Sequence, residues 1–168
     1  MTLINDGDLQ LMNELFERYH VRIYNYCLKV TSNKAIGEDI AQETFYKVIK
    51  HRKSFQKKTF AAWIFTIARN LCFDYLKKER STQLNTESLQ KNIDTYTYDD
   101  HEKRDRIEHL ERTLNKLDPI DKEVIILSRY ENLKYKDIAA IMDMSETAIK
   151  TRVHRALKKL RSYYFKAN

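Results

Sequence analysis

The chain has very few of the residues on which tight turns depend, with two glycines and one proline among its 168 residues. Because β-sheets need frequent turns, and turns favour Gly, Pro, Asn and Asp, this scarcity predicts a helical protein. Cysteine is equally scarce, and Cys27 and Cys72 form no CxxC pair. We expect two buried free thiols in a reducing cytoplasm, with a regulatory disulfide as the alternative.

Long apolar runs and targeting signals are also missing. The longest apolar run, around residues 61–64, is interrupted by Thr66 and Arg69 and is far shorter than the ~20 residues of a membrane span. The first ten residues, MTLINDGDLQ, lack the basic patch and apolar core of a signal peptide. We therefore expect a cytoplasmic protein without direct membrane insertion.

Catalytic motifs are absent from the sequence as well. It contains no glycine-rich phosphate loop, no metal-spaced set of His and Cys, and no nucleophile elbow, and its five histidines are scattered. We predict a protein that is not an enzyme, with no catalytic residue, no cofactor and no metal site.

Charge, by contrast, is abundant. A third of the residues are charged and the formal net charge is +7, which favours an anionic partner such as nucleic acid. The net charge is +5 over residues 1–81, −2 over 82–116 and +4 over 117–168. The middle stretch is rich in Ser, Thr, Asn and Asp and lacks helical periodicity. We predict an all-α protein of two small helical domains, residues 1–81 and 106–168, joined by a flexible linker, residues 82–105.

Three helical patterns fill the N-terminal domain, over about residues 8–31, 34–51 and 59–80. Thr59 is suited to cap the third helix. Apolar positions at helical spacing on the first and third helices should face a shared core. They are Leu15, Phe16, Tyr19, Ile23, Cys27, Val30, Phe60, Ile64, Ile67, Leu71 and Tyr75.

The C-terminal domain shows a clear helix start followed by a helix-turn-helix pattern. Asp118 suits the N-cap, Pro119 suits the first helical position, and Asp121 places negative charge in the first turn. Further on, YKDIAAIMDMSETAIKTRVHRALKKLR (residues 135–161) predicts a short helix, a tight turn and a longer basic helix. Ser145 can cap this last helix.

The last helix carries seven basic residues between Lys150 and Lys166, and at 100° per residue its apolar side chains fall on the opposite side. Such a helix fits the major groove of DNA, where Arg and Lys meet guanine edges and flanking cations hold phosphates. The alternative is a solvated basic face on an ordinary helical hairpin. The candidate DNA-reading residues are Thr147, Lys150, Thr151, Arg152, His154, Arg155 and Lys158.

A second basic block lies upstream, where residues 44–73 contain seven basic residues and no acidic one, interleaved with aromatic residues. Cations can follow a nucleic-acid backbone and aromatic rings can stack on unpaired bases, so this composition favours melted, single-stranded DNA. In the alternative, most of these aromatic rings belong to the core. The pattern leaves open the roles of Trp63, Arg69, Asn70, Lys77, Lys78 and Arg80.

One face of this basic domain is acidic. In the segment EDIAQETFYKVI, Glu38, Asp39, Gln42 and Glu43 form a polar face that DNA would repel. The pattern is compatible with simple solvent exposure and with a protein partner.

Four blocks of the sequence resemble, in this order, RNA polymerase sigma factors of the extracytoplasmic-function (ECF) group. The resemblance spans nearly the whole chain, and it implies a subunit that binds bacterial core RNA polymerase, directs it to specific promoters and promotes transcription initiation. The blocks are GEDIAQETFYKVIK, FAAWIFTIARNLCFDYLKKERS, LDPIDKEVIIL and YKDIAAIMDMSETAIKTRVHRALKKLR.

The resemblance implies a role for each part of the chain. The first domain would dock on the coiled coil of the largest polymerase subunit through Asp39, Gln42, Glu43 and Phe45. The helix-turn-helix would read the duplex −35 element, and an anti-sigma factor is a further possible partner. Recognition of the −10 element and stabilisation of its melted strand would fall to Trp63, Arg69, Asn70, Lys77, Lys78 and Arg80.

The linker, about 22 residues, reaches ~75 Å when extended, which covers the ~70 Å of two duplex turns.

Two features depart from the group's pattern. Thr147–Ala148 stands where a Gly-Thr pair often opens the recognition helix, and the turn MDMS has no glycine, although Asp143 tolerates a left-handed backbone. These departures affect which −35 sequence is read.

The main rival interpretation is a helix-turn-helix repressor or activator acting without core polymerase docking, which leaves the upstream block and the acidic face unexplained. A protein-only adaptor is disfavoured by the charge.

Overall fold

The computed structural model describes residues 9–55, 59–83 and 101–166, which form two separate helical units. The first unit contains α1 (Leu9–Thr31), α2 (Lys34–Lys50), a 3₁₀ turn (Arg52–Ser54) and α3 (Phe60–Gln83). The second contains α4 (His101–Leu114), α5 (Pro119–Ile125), a π-helical turn (Ile126–Tyr130), α6 (Tyr135–Met142) and α7 (Glu146–Lys166). No strand occurs within the described ranges, and the predicted all-α class is confirmed.

Most of the predicted linker, residues 84–100, lies outside the described residues. The ends of that prediction differ from the structure, since α3 continues to Gln83 and α4 begins at His101. Residues 82–83 and 101–105, which the sequence assigned to the linker, are therefore helical.

Helices α2 and α3 begin where the sequence supplies a capping side chain. Asn33 has an extended backbone, and its Oδ1 accepts a hydrogen bond from the Ile36 backbone N–H at 3.2 Å. Thr59 Oγ1 accepts one from the Ala62 N–H at 3.2 Å, which confirms the predicted cap. Each bond satisfies a backbone donor that the first helical turn leaves without a partner.

The core of the first unit is centred on Tyr26 and Phe65, whose fully buried rings meet edge to face with centroids 5.4 Å apart. Ile23 and Ile64 are fully buried beside them. The predicted stripe on α1 is wrong at Phe16, which remains 44% exposed. Cys27 and Cys72 are both buried free thiols, as expected.

The core-facing line of α3 is rotated from the predicted one by less than one residue, about 60–75°. Phe60 and Ile64 are buried as expected, but Ile67, Leu71 and Tyr75 are only half-buried. The positions that are fully buried instead are Phe65, Ala68 and Cys72. The apolar residues of α3 occupy more than half of its circumference, so periodicity alone did not select the line that faces the core.

Gly37 allows α1 and α2 to approach closely. A Cβ built at this position would lie 3.1 Å from the backbone Cα and N of Leu28 on α1, tighter than ordinary van der Waals contact. The glycine therefore serves the packing of two helices rather than a turn.

We expect Gly37→Val to destabilise the first unit by about 1–3 kcal/mol, because the added methyl groups must push the α1 backbone away. The matched control is Ala35→Val, an exposed position on the same helix, where the change should cost about 0.5 kcal/mol through helix propensity alone. Urea unfolding followed by circular dichroism measures both. Equal losses for the two variants would contradict the packing role of Gly37.

The second unit begins its central helix as predicted, with Pro119 at the start of α5 and Asp118 in the cap position. The Asp118 side chain makes no capping hydrogen bond; its carboxylate accepts one from Lys159 Nζ at 2.9 Å instead. After Ile125 the chain continues as a wider π turn, a feature that often marks functional regions. The fully buried side chains Val124 to Leu127 hold this segment in the core.

The turn of the helix-turn-helix is built without glycine. Asp143 adopts the left-handed conformation (φ 54°, ψ 50°), as its residue type allows. The Met144 N–H bonds to the Ala139 carbonyl at 3.0 Å, which closes α6 in a Schellman arrangement. Ser145 Oγ then accepts from the Ala148 N–H at 3.1 Å and caps α7. The predicted turn and cap are confirmed.

Candidate nucleic-acid interface

The basic face of α7 is open to solvent. The buried side of the helix consists of Ile149, Val153 and Ala156, which pack it against the rest of the unit. Six of the seven candidate DNA-reading residues are exposed and lie on the other side. They are Thr147, Lys150, Thr151, His154, Arg155 and Lys158.

Arg152, the seventh candidate, is held within the protein. Its guanidinium donates to Asp121 Oδ1 on α5 at 2.9 Å. Lys159 Nζ donates to the other oxygen of the same carboxylate at 2.7 Å, in addition to its bond with Asp118. The buried Asp121 side chain thus joins the start of α5 to two cations of α7.

These ion pairs also affect proton affinities. The hydrogen bonds that Lys159 donates, first to Asp121 and then to Asp118, raise the pKa of the lysine well above its ordinary value. In return, the hydrogen bond from Lys159 lowers the pKa of the Asp118 carboxyl. Lys159 and Asp118 are therefore both charged at neutral pH.

A groove of about 430 Å³ lies along the other flank of α7. It is lined by Arg129 of the π turn, Tyr135 of α6, and Lys150 and His154 of α7, with no acidic side chain among its lining residues. The sequence analysis did not single out Arg129 or Tyr135, because neither belongs to the periodic face of the recognition helix.

The candidate residues of α3 divide between two faces. Trp63, Asn70 and Lys77 recur every seven residues and lie along one line. Lys78 points about 80° away from that line on one side, and Arg69 and Arg80 point about 80–100° away on the other. The structure therefore does not bring all six residues onto one face.

The two largest of these side chains have partners within the unit. Trp63 is half-buried and packs on Phe55 and Phe60, with ring centroids 5.1 and 5.9 Å away. The Arg69 guanidinium lies over the Phe73 ring at 4.6 Å. The other four residues, Asn70, Lys77, Lys78 and Arg80, are exposed.

The acidic face of α2 adjoins an exposed aromatic cluster. Asp39, Gln42 and Glu43 are exposed, and Phe45 is half-buried. The Phe45 ring meets Phe16 of α1 edge to face at 4.9 Å, and Phe16 in turn stacks on His20 at 4.9 Å. Phe16, which the sequence analysis placed in the core, instead extends this surface onto α1.

Neither a membrane-spanning helix nor a cluster of metal-ligating side chains occurs within the described ranges. None of the helices there combines the length and apolar character that crossing a bilayer requires. No group of three or more His, Cys, Asp or Glu side chains is placed to hold a metal ion.

Two small helical units, each with a basic face and one ending in a helix-turn-helix, define a DNA-binding regulator. Family models match both units: sigma-70 region 2 over residues 15–82, and sigma-70 region 4 over residues 107–160.

Curated relatives match nearly the full length of the chain. RNA polymerase sigma factor CarQ of Myxococcus xanthus is 31% identical over 167 residues, covering 96% of this chain and 93% of the relative. ECF RNA polymerase sigma factor SigM of Bacillus subtilis is 27% identical, covering 91% and 94%. Among solved structures, the sigma factor RpoE of Bartonella quintana, in complex with the anti-sigma factor NepR, aligns with a TM-score of 0.73 at 26% identity and covers 90% of this chain and 94% of that one.

This chain belongs to the sigma-70 family of RNA polymerase sigma factors, in its ECF group. It is a DNA-binding regulator that binds core RNA polymerase and directs it to promoters. The rival interpretation, a repressor or activator that works without the polymerase, is not favoured, because it accounts for the second unit alone.

Proposed function

We propose that the two units divide promoter recognition between them. The first unit, residues 1–81, docks on core polymerase through α2 and recognises the −10 element through α3. The second unit, residues 106–168, reads the −35 element through α7. The observation that supports this division most strongly is the solvent-exposed face of α7, which presents base-reading and phosphate-binding side chains opposite its buried residues.

The central part of the reading face consists of Lys150, Thr151, His154 and Arg155. An α-helix inserted in the major groove brings side chains at this spacing to successive base edges. Arg129, at the edge of the neighbouring groove, is suited to hold a backbone phosphate beside the recognition helix.

On α3, the line of Trp63, Asn70 and Lys77 is suited to the melted −10 strand. Trp63 is held by Phe55 and Phe60, so its exposed part offers a rigid apolar surface two turns before Asn70 on the same line. Lys77 extends the line with positive charge and Lys78 adds charge on one side of it, which attracts the backbone of a single strand. Arg69 and Arg80, on the adjacent face, would contact the strand or its duplex flank.

The docking surface combines the polar residues Asp39, Gln42 and Glu43 with the Phe45–Phe16 pair. Its acidic character favours a basic surface on the polymerase and repels DNA, which separates docking from promoter binding on the same small unit. The exposed Phe16 ring supplies an apolar contact at the centre of such an interface.

The cellular compartment and the further partners complete the proposed function. The protein acts in the cytoplasm, where the polymerase is, and the polymerase rather than this chain performs the chemistry, so the chain is not an enzyme. An anti-sigma factor is a candidate partner, because the similar RpoE structure contains one.

Arg155→Ala tests the reading role of α7. If Arg155 contacts a base, we expect binding of the holoenzyme to its own promoter to weaken by about 1–3 kcal/mol, with relaxed preference at one position of the −35 element. The measurement is holoenzyme affinity for a set of promoters that differ at each −35 base pair.

The control for this experiment is Lys158→Ala, an exposed position expected to meet the backbone. It should weaken binding to all sequences about equally. Loss of the same size on every promoter for Arg155→Ala would assign Arg155 to a phosphate, and no loss for either variant would remove α7 from the interface.

A further inference from the structure

The cations of α7 fall into two classes. Arg152 and Lys159 are bound to carboxylates of α5, with N–O distances between 2.7 and 2.9 Å. Arg155 and Lys158 are exposed and have no hydrogen-bond or ion-pair partner among the described residues. Both classes occur within the same two turns of α7. They differ because Arg152 and Lys159 face carboxylates and the other two cations do not.

Helix geometry separates the two classes by direction. At 100° per residue, Lys158 points within about 40° of both Thr151 and His154 and so continues the DNA-facing side of α7 beyond the reading residues. Arg152 and Lys159 point within about 20° of each other and about 100° away from Lys158, towards α5. The two bound cations therefore form the flank of α7 that faces away from the centre of the reading face.

A groove of about 940 Å³ lies along this flank. Asp118 and Asp121 line one side of it, and Thr147, Thr151 and Arg155 line the other. A DNA phosphate entering here would meet two carboxylates whose charge is already matched by Arg152 and Lys159. The opposite groove offers Arg129, Lys150 and His154 without an acid.

We propose that Asp121, assisted by Asp118, is a positioning and specificity-determining residue that keeps Arg152 and Lys159 out of the DNA interface. The two bonds from one buried carboxylate fix the rotation of α7 about its own axis, and they neutralise two cations that would otherwise add affinity for any DNA. This inference rests on the proposed reading of duplex DNA by α7.

The expected benefit is selectivity. Non-specific affinity depends on how many phosphates a protein neutralises, whereas base contacts discriminate between sequences. Keeping two cations away from the phosphates lowers the non-specific affinity and leaves the base contacts unchanged. Arg152 therefore differs from the other six candidates of the recognition helix: it positions that helix and does not touch DNA.

The neighbouring lysines Lys158 and Lys159 provide a matched test, because both are exposed and Arg152 still holds Asp121 when Lys159 is replaced. The measurement is the affinity of the full chain for a random-sequence duplex as a function of salt concentration. Each phosphate contact contributes about 0.9 to the slope of log affinity against log salt. We expect Lys158→Gln to make the slope shallower by about 0.9, and Lys159→Gln and Arg152→Gln to leave it unchanged.

Asp121→Asn tests the carboxylate itself, since it keeps the side-chain shape and removes the charge. With Arg152 and Lys159 released, the slope should become steeper by about 1–2, and the ratio of promoter to random-sequence affinity of the holoenzyme should fall several-fold. In the double variant Asp121→Asn with Arg152→Gln, the slope should be less steep than in Asp121→Asn alone and closer to that of the unmodified chain. Circular dichroism establishes that each variant is folded, a readout independent of DNA binding.

The outcomes separate this inference from the proposed function. A slope that flattens for Lys159→Gln or Arg152→Gln as much as for Lys158→Gln overturns the role of Asp121 and leaves α7 as the reading helix. A slope unchanged by all three substitutions removes α7 from the DNA interface, and the proposed function of the second unit fails with it. If Asp121→Asn does not fold, the lysine pair decides the question alone.

Discussion

Replacing Asp39 by arginine is expected to lower the affinity of the chain for core RNA polymerase by about 100-fold or more. Asp39 is exposed at the centre of the acidic face of α2, so the substitution does not disturb the fold. In the complex it would place like charges together, which costs several kcal/mol at a complementary interface. Gel filtration or fluorescence titration of purified core polymerase with labelled protein measures the loss.

The matched control for Asp39→Arg is Glu14→Arg, which makes the same change of charge at an exposed position of α1. Glu14 lies two residues from Phe16 and therefore about 160° around the helix from the docking surface. This control should assemble normally. Equal loss for both variants would show that net charge, rather than the α2 face, governs assembly. No loss of affinity for Asp39→Arg would show that the acidic face of α2 is a solvent-exposed surface with no role in docking.

The largest effect on stability is expected for Phe65→Ala, which should destabilise the first unit by about 3–5 kcal/mol. The Phe65 ring is fully buried, meets Tyr26 edge to face, and lies under the Arg22 guanidinium at 5.6 Å from its centroid. Removing the ring opens a cavity between α1 and α3, and an unfolded first unit would lose the surfaces proposed for docking and for the −10 element.

Urea unfolding followed by circular dichroism tests this expectation. The control is Tyr46→Ala, an aromatic residue that is 56% exposed on α2 and should change stability by only about 0.5 kcal/mol. The second unit has its own core, so its unfolding transition should stay in place. A loss below about 1 kcal/mol for Phe65→Ala would contradict the assignment of Phe65 to the centre of the core.

The sequence predicted well those features that depend on local chemistry. The caps at Thr59 and Ser145, the helix start at Pro119 and the left-handed Asp143 each follow from the residue at that position and its near neighbours. The outward face of α7 follows from helical periodicity, because its apolar residues form a narrow stripe.

The errors occur where tertiary contacts decide between local alternatives. On α3, apolar side chains cover more than half of the helix, and packing against α1 and α2 selected Phe65 and Ala68 over Ile67 and Leu71. Phe16 fits the inward stripe of α1 by spacing, yet it lies against Phe45 at the edge of the unit. Helical periodicity does not indicate where a neighbouring helix ends.

The role of Arg152 illustrates a second limit. Its partner Asp121 is 31 residues earlier in the chain, and no local pattern connects the two. From the sequence, Asp121 was predicted only to place a favourable negative charge in the first turn of α5. Its charge does lie in that first turn, but the same side chain also binds the recognition helix.

The central claim is that this chain makes core RNA polymerase specific for promoters, and transcription in vitro tests it most directly. Purified bacterial core polymerase would be incubated with a library of promoter fragments, with and without the protein, and the 5′ ends of the RNA sequenced. We predict new start sites that depend on the protein and lie downstream of a shared two-part motif with −10 and −35 elements. Duplex binding by the chain alone, without association with core polymerase or new start sites, would contradict the account.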